Sequence, residues 1–280
     1  MGILITPKYR FKVPIEAECI TPDNLSNLSL SEILDLEVFE GNRKRRMGDL
    51  FDVKTGVYTS PEGFTIRMVG DFSRVRYVGA GMTLGRIIIV GVAGMHLGEG
   101  MKGGSIHVQG DAGSWVGSMM HGGRIEIFGD VGDYTGSAYR GSNRGMSGGE
   151  IIIHGNASNE TGCYMRDGLI KIDGSVGQFT GMHMHGGTIM VGGETEGRDG
   201  AEMVKGKIVI MGRVPSVLPS FRIEKVRPRV KVGNERVEGP FYMFSGDLAE
   251  NGNGRLYISK TNNPHLKHFE KYLSPLKLNL

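Results

Sequence analysis

The stretch GDVGDYTG, residues 129–136, places three glycines at spacings of three and four. Such a run could cradle a phosphate on its backbone N–H groups, or it could mark the corners of a chain that turns the same way many times. Other residues invite chemistry too. Asp111 and Asp130 each follow the first glycine of such a run. Stacked at one strand spacing, ~5 Å, they would form a carboxylate pair able to do acid–base work. His183 and His185, in the run MHMH, could offer imidazoles to a metal. Lys102, His121, Arg140, Arg166 and His185 share one offset, eleven residues after a glycine, and could meet an anion.

What must position these residues is a period. GVAGMHLG begins at Gly91, GDAGSWVG at Gly110, GDVGDYTG at Gly129, GNASNETG at Gly155, GSVGQFTG at Gly174 and GETEGRDG at Gly193. The step is nineteen throughout, except that Gly129 to Gly155 is one copy plus seven inserted residues. A nucleotide-binding glycine fingerprint occurs once per domain beside one strand and one helix, so six copies mean architecture instead. The pairs Gly91 and Gly98, Gly110 and Gly117, Gly129 and Gly136, Gly155 and Gly162, Gly174 and Gly181, and Gly193 and Gly200 read as structural corners. Ser158 and Glu196 replace the middle glycine in two copies.

Four residues before each first glycine stands isoleucine, and two before stands isoleucine or valine, as in Ile87 and Ile89 or Ile106 and Val108. That is a short alternating strand rich in β-branched residues. No 3.6-residue pattern fits between Gly85 and Gly212. Nineteen residues give a contour of roughly 60 Å, suited to one turn of a closed coil. The expected fold is therefore all-β: a right-handed parallel β-helix with ~19-residue turns over residues 63–212, flanked by irregular segments at 1–62 and 213–280 that cap its ends. The insertion at Arg140–Ser147 should bulge from one turn.

Ten residues after each first glycine come Met101, Met120, Tyr139, Met165, Met184 and Met203, which reads as a core stack interrupted once. Asp111, Asp130, Asn156, Ser175 and Glu194 follow the corner glycines and read as turn formers bonding their own backbone. The two histidines of MHMH alternate as on a strand and read as surface. The basic column admits two readings, a solvated edge or a stripe that docks onto anions, with the insertion able to displace Arg140 from the line.

Composition narrows the function. The formal net charge of +3 is too small to argue for nucleic acid. Two cysteines, Cys19 and Cys163, cannot bind an iron–sulfur cluster by themselves or form a secreted disulfide framework. No apolar run approaches the roughly 20 residues that cross a bilayer, and the first residues, MGILITPKYRFKVP, lack a signal-peptide core. The expectation is a soluble cytoplasmic chain.

The glycine pattern resembles the β-helical C-terminal domain of glutamate synthase. FEGNRKRRMGDLFDV, MHGGRIEIFGDVGDYTGSAYRGSNRGMSGGEIIIHGNA and FSGDLAENGNGRLYI, with the repeats, resemble the C subunit of archaeal formylmethanofuran dehydrogenase across nearly the whole chain. That resemblance implies a non-catalytic scaffold subunit of an oxidoreductase complex that reduces carbon dioxide to formylmethanofuran in methane formation. It implies that this chain holds no cofactor. The tungsten- or molybdenum-pterin, the iron–sulfur clusters and a metal hydrolase site would sit on other subunits, which are its expected partners. Lys102, His121, Arg140, Arg166 and His185 would then touch a partner subunit or the carboxylate-rich tail of methanofuran. Alternatives are the equivalent subunit of a formyltransferase/hydrolase complex, a glutamate synthase accessory domain, and a stand-alone β-helix enzyme acting on acidic polysaccharide.

Overall fold

The computed structural model describes residues 2–56 and 63–273. The strand-forming residues are those the alternation marks. Arg86–Val92, Ser105–Val108, Arg124–Ile127, Ser147–Ile153, Asp167–Ile172, His185–Val191 and Lys205–Ile210 are strands. They pair in parallel, column on column: Ile87 opposite Ile106, Ile106 opposite Ile125, Ile125 opposite Ile151, Ile151 opposite Ile170, and on to Ile189 and Ile208. Ile87, Ile89, Ile106, Val108, Ile125 and Ile127 are all buried. Each such side chain contributes roughly 1.5–3 kcal/mol of burial free energy, which fixes the register because a one-residue slip would expose the whole row.

The expectation of a right-handed parallel β-helix is corrected here. The strands lie in one 13-stranded mixed sheet, and no sheet closes on itself among the described residues. One edge of the sheet is Arg222–Val232 and the other is Phe51–Gly56. Its centre is parallel, but both ends turn antiparallel, where Gly2–Pro7 meets Phe51–Gly56 and where Glu235–Gly246 meets Gly254–Ser259 and Arg222–Val232. The period supplies one strand per copy and no more. Between strands the chain makes single parallel bridges, Ala93 to Ala112 to Val131 to Ala157 to Val176 to Thr195. The physical reason is the backbone. Trp115, Gly117 and Met119 have φ of +68°, +59° and +53°, and the neighbouring copies repeat this. Alternate left-handed residues cannot continue an extended strand.

The flanks also differ from the irregular segments expected. Gly2–Pro7 lies parallel to Thr65–Asp71, and Gly254–Ser259 lies parallel to Lys205–Ile210, so strands from both ends of the chain join the same sheet. The expected boundary at residue 62 lies outside the described residues. A second sheet of four strands, in the order Arg43–Arg46, Glu37–Glu40, Ile15–Glu16 and Val75–Arg76, sits beside the N-terminal end. Helices are few and short; Leu30–Asp35 begins with a capping box between Ser29 and Glu32. At the other end the hairpin Arg222–Val232 and Glu235–Gly246 buries Val230, Val232, Phe241 and Met243 with Val209 and Tyr257.

The interior is a methionine stack, with one change of membership. Met101, Met120, Met146, Met165, Met184 and Met203 are fully buried, while Tyr139 is 41% exposed. The seven inserted residues fall before the stack position, so the column resumes at Met146 instead of Tyr139. The glycines make room for it. A Cβ on Gly123, Gly149 or Gly187 would lie 2.6–2.7 Å from the terminal methyl of Met101, Met120 or Met165. A Cβ on Gly117, Gly136 or Gly181 would lie 2.5–2.6 Å from an isoleucine Cδ1, at φ of +59° to +69°.

Candidate partner interface

The Asp-Asn-Ser column forms a ladder, but not within its own turns. Asp111 Oδ1 accepts from the Asp130 N–H at 2.9 Å, Asp130 Oδ1 from the Asn156 N–H at 2.7 Å, Asn156 Oδ1 from the Ser175 N–H at 2.8 Å, and Ser175 Oγ from the Glu194 N–H at 3.0 Å. A second ladder runs through Ser114, Asp133, Asn159 and the Gln178 N–H. Each side-chain oxygen thus satisfies a backbone donor of the next copy, and Asp111 and Asp130 are tied into structure.

The five basic positions do not all share one line. The backbone N–H groups of Lys102, His121, Arg166 and His185 donate to Met82, Met101, Met146 and Met165 carbonyls at 2.7–2.8 Å. The place between His121 and Arg166 belongs to Ser147, whose N–H donates to the Met120 carbonyl at 2.8 Å. His121 Nδ1 lies 2.7 Å from Ser147 Oγ. Arg140 stands apart on the insertion, its Nη2 3.4 Å from the Tyr134 hydroxyl. Arg166 reaches the same loop, donating from Nη2 to the Asn143 carbonyl at 3.0 Å. The MHMH pair is not one strand either. His183 has φ of +53° and stacks on Tyr164 with centroids 4.4 Å apart, while His185 opens the strand His185–Val191.

The sequence reading missed a column of rings. Tyr77, His96, Trp115 and Tyr134 follow one another at the repeat spacing, each with φ between +62° and +68°. Their centroids are 4.6, 5.8 and 4.2 Å apart in succession, with interplanar angles of 22°, 7° and 18°. Tyr139 leans across the row, 5.0 Å from Trp115 and 5.8 Å from His96. Burial, with Tyr139 and Glu99 nearby, pushes the Tyr77 hydroxyl up to about 12. The common offset from each corner glycine was the available signal.

Beyond Tyr134 the row is interrupted by Glu160, and a cleft of about 790 Å³ opens between the insertion and the next copies. Trp115, Tyr134, Tyr139 and Tyr164 supply rings, and Arg140 and Arg144 stand at its rim. Cys163 lines it as well, but burial lifts its thiol to about 12, so it stays protonated. Cys19 is likewise raised, to about 11, by burial. Among the described residues no group of three His, Cys, Asp or Glu side chains could hold a metal ion. Cys19 and Cys163, the two cysteines of the sequence, are too few to ligate an iron–sulfur cluster by themselves.

No family model matches the chain. It is 49% identical over 271 residues to the C subunit of the tungsten-containing formylmethanofuran dehydrogenase 2 of Methanococcus maripaludis, covering 94% of this chain and 98% of that one. The chain belongs to the family of formylmethanofuran dehydrogenase C subunits. Members matched over a shorter span include the C subunit of the molybdenum-containing formylmethanofuran dehydrogenase 1 of Methanothermobacter marburgensis, 47% identical over 97 residues. That match spans 35% of this chain and 24% of that relative's length. The fold of this C subunit also recurs in the crystal structure of a formyltransferase/hydrolase complex from Methylorubrum extorquens in complex with methylofuran. The TM-score is 0.81 at 29% identity, over 91% of this chain and 99% of the other. Among the described residues no helix is long and apolar enough to cross a membrane.

Proposed function

We propose that this chain is the non-catalytic scaffold subunit of a formylmethanofuran dehydrogenase. The observation that carries this reading is 49% identity running through 94% of the chain and 98% of the C subunit of a tungsten enzyme. Its residues are spent on stacking: glycines that admit methionine and isoleucine, and carboxylates that hold backbone N–H groups. The tungsten- or molybdenum-pterin, the iron–sulfur clusters and the metal hydrolase site belong to other subunits, which are its partners in the cytoplasm. The described parts of the flanks, residues 2–56 and 213–273, close the ends of the sheet. The edge bearing Lys102, His121, Arg166 and His185, with Arg140 beside it, faces a partner subunit or the methanofuran tail. Lys102 and Arg166 carry fixed positive charge on this edge, and facing anions would complement both.

The test is purification of the tagged chain from its own cells. The expected result is co-elution with polypeptides that hold pterin and with tungsten or molybdenum, none of it retained by this chain after the subunits are separated. Elution of the chain alone, or a tightly held metal on the separated chain, overturns the reading.

A further inference from the structure

We infer that the cleft under the insertion loop is a docking site for an acidic segment of a partner subunit, anchored by an apolar side chain between the tyrosines. This rests on the scaffold reading and adds the place and chemistry of the contact. Three observations carry it, beginning with the loop's construction. It is held at its base, where the Gly145 N–H donates to the Tyr164 carbonyl at 3.0 Å and the Met146 N–H to the Gly136 carbonyl at 2.9 Å. Its tip, Arg140 to Arg144, stands at the surface and is held from the side by Arg166 on Asn143. The stack of rings beneath does not need this loop, since the copies on either side run without one.

The second observation is composition. Trp, Tyr and Arg are the residues that dominate binding energy at protein interfaces, where rings give large rigid contact area and guanidinium groups pair with carboxylates. The cleft gathers Trp115, Tyr134, Tyr139 and Tyr164 with Arg140 and Arg144. Tyr139 is displaced from the buried stack and 41% exposed beside the opening.

Charge is the third. Arg140 and Arg144 make no salt bridge with any described residue; the side-chain contact of Arg140 is the long one to the Tyr134 hydroxyl. Arg166 bonds a carbonyl. Glu160 is the single acid lining the cleft, against two arginines at the rim. Two cations above an aromatic floor complement a carboxylate-bearing chain and reject a basic one.

The experiment uses the assembled complex. The photocrosslinker p-benzoylphenylalanine is placed at Asn143, and, separately, Arg140→Glu and Arg144→Glu are combined. Irradiation should join position 143 to a peptide of another subunit with Asp or Glu within a few residues of the crosslink. The double reversal should lower recovery of this chain on a tagged partner at least fivefold, with the melting temperature of the separately purified chain unchanged. A crosslink to a second copy of this chain, to a partner segment without acids, or to no polypeptide overturns the inference. Full recovery of the double variant overturns it too. In each of these results the wild-type chain still co-purifies with the complex, so the scaffold reading survives. Failure of the wild-type chain to co-purify would remove both.

Discussion

Single residues set the limits of this architecture. Gly181 has φ of +69°, and a Cβ there would lie 2.6 Å from Ile208 Cδ1. Gly181→Ala should therefore cost at least the ~1–2 kcal/mol of a left-handed L-residue, read as a lower midpoint in chemical denaturation. Gly81, at φ of +66° with open space around its Cβ position, is the control: Gly81→Ala carries the backbone cost without the clash and should lose less. Asp199 makes a different demand. It is buried, its Oδ2 accepts from Thr195 Oγ1 at 2.7 Å, and its Oδ1 has no partner among the described residues. Burial pushes its carboxyl up to about 7. Below about pH 4 the folded and unfolded chains both hold this proton, and the group costs nothing. As pH rises from there towards 7 the unfolded chain sheds a proton that the folded one keeps, so stability falls through that window. Asp199→Asn should flatten this fall, seen as a smaller drop in melting temperature between pH 4 and 8 than the parent shows.

At the scale of elements, the insertion decides what each column contains. Met146 is fully buried and Tyr139 is not. Met146→Ala should cost about 2–5 kcal/mol, in the range of core truncations, and Tyr139→Ala clearly less. Comparable losses in thermal melts would return Tyr139 to the stack. The Ile-x-Ile strands and their pairing at the repeat spacing were legible because alternation and spacing are local signals. The closure of the coil was not legible. A contour length says that nineteen residues could encircle a core, but not that the return path extends, and left-handed residues such as Trp115 and Met119 prevent it. The row Tyr77, His96, Trp115 and Tyr134 was readable by its offset but escaped because its members differ in chemistry and share only flat rings. The cleft depends on where seven inserted residues fold back, which spacing alone does not state.

For the whole molecule, the prediction concerns assembly. Arg166 lies on the edge beside the insertion, whereas Lys171 lies on the strand face with Glu235 3.8 Å away. Arg166→Glu should reduce incorporation into the complex more than Lys171→Glu, measured as the fraction of each variant retained on a tagged partner; equal retention would make the edge a plain surface. The ladder of Asp111, Asp130, Asn156 and Ser175 has a further consequence, because all its bonds point one way. Every side chain takes the N–H of the copy that follows it in sequence, at separations of 19 or 26 residues. A chain leaving the ribosome thus meets its acceptors already laid down, each finished copy acting as the template for the one still emerging. Across the repeats, stacking follows the order of translation, like courses of brick, and the strand Gly254–Ser259, last in sequence, slots between Lys205–Ile210 and the hairpin to finish the wall.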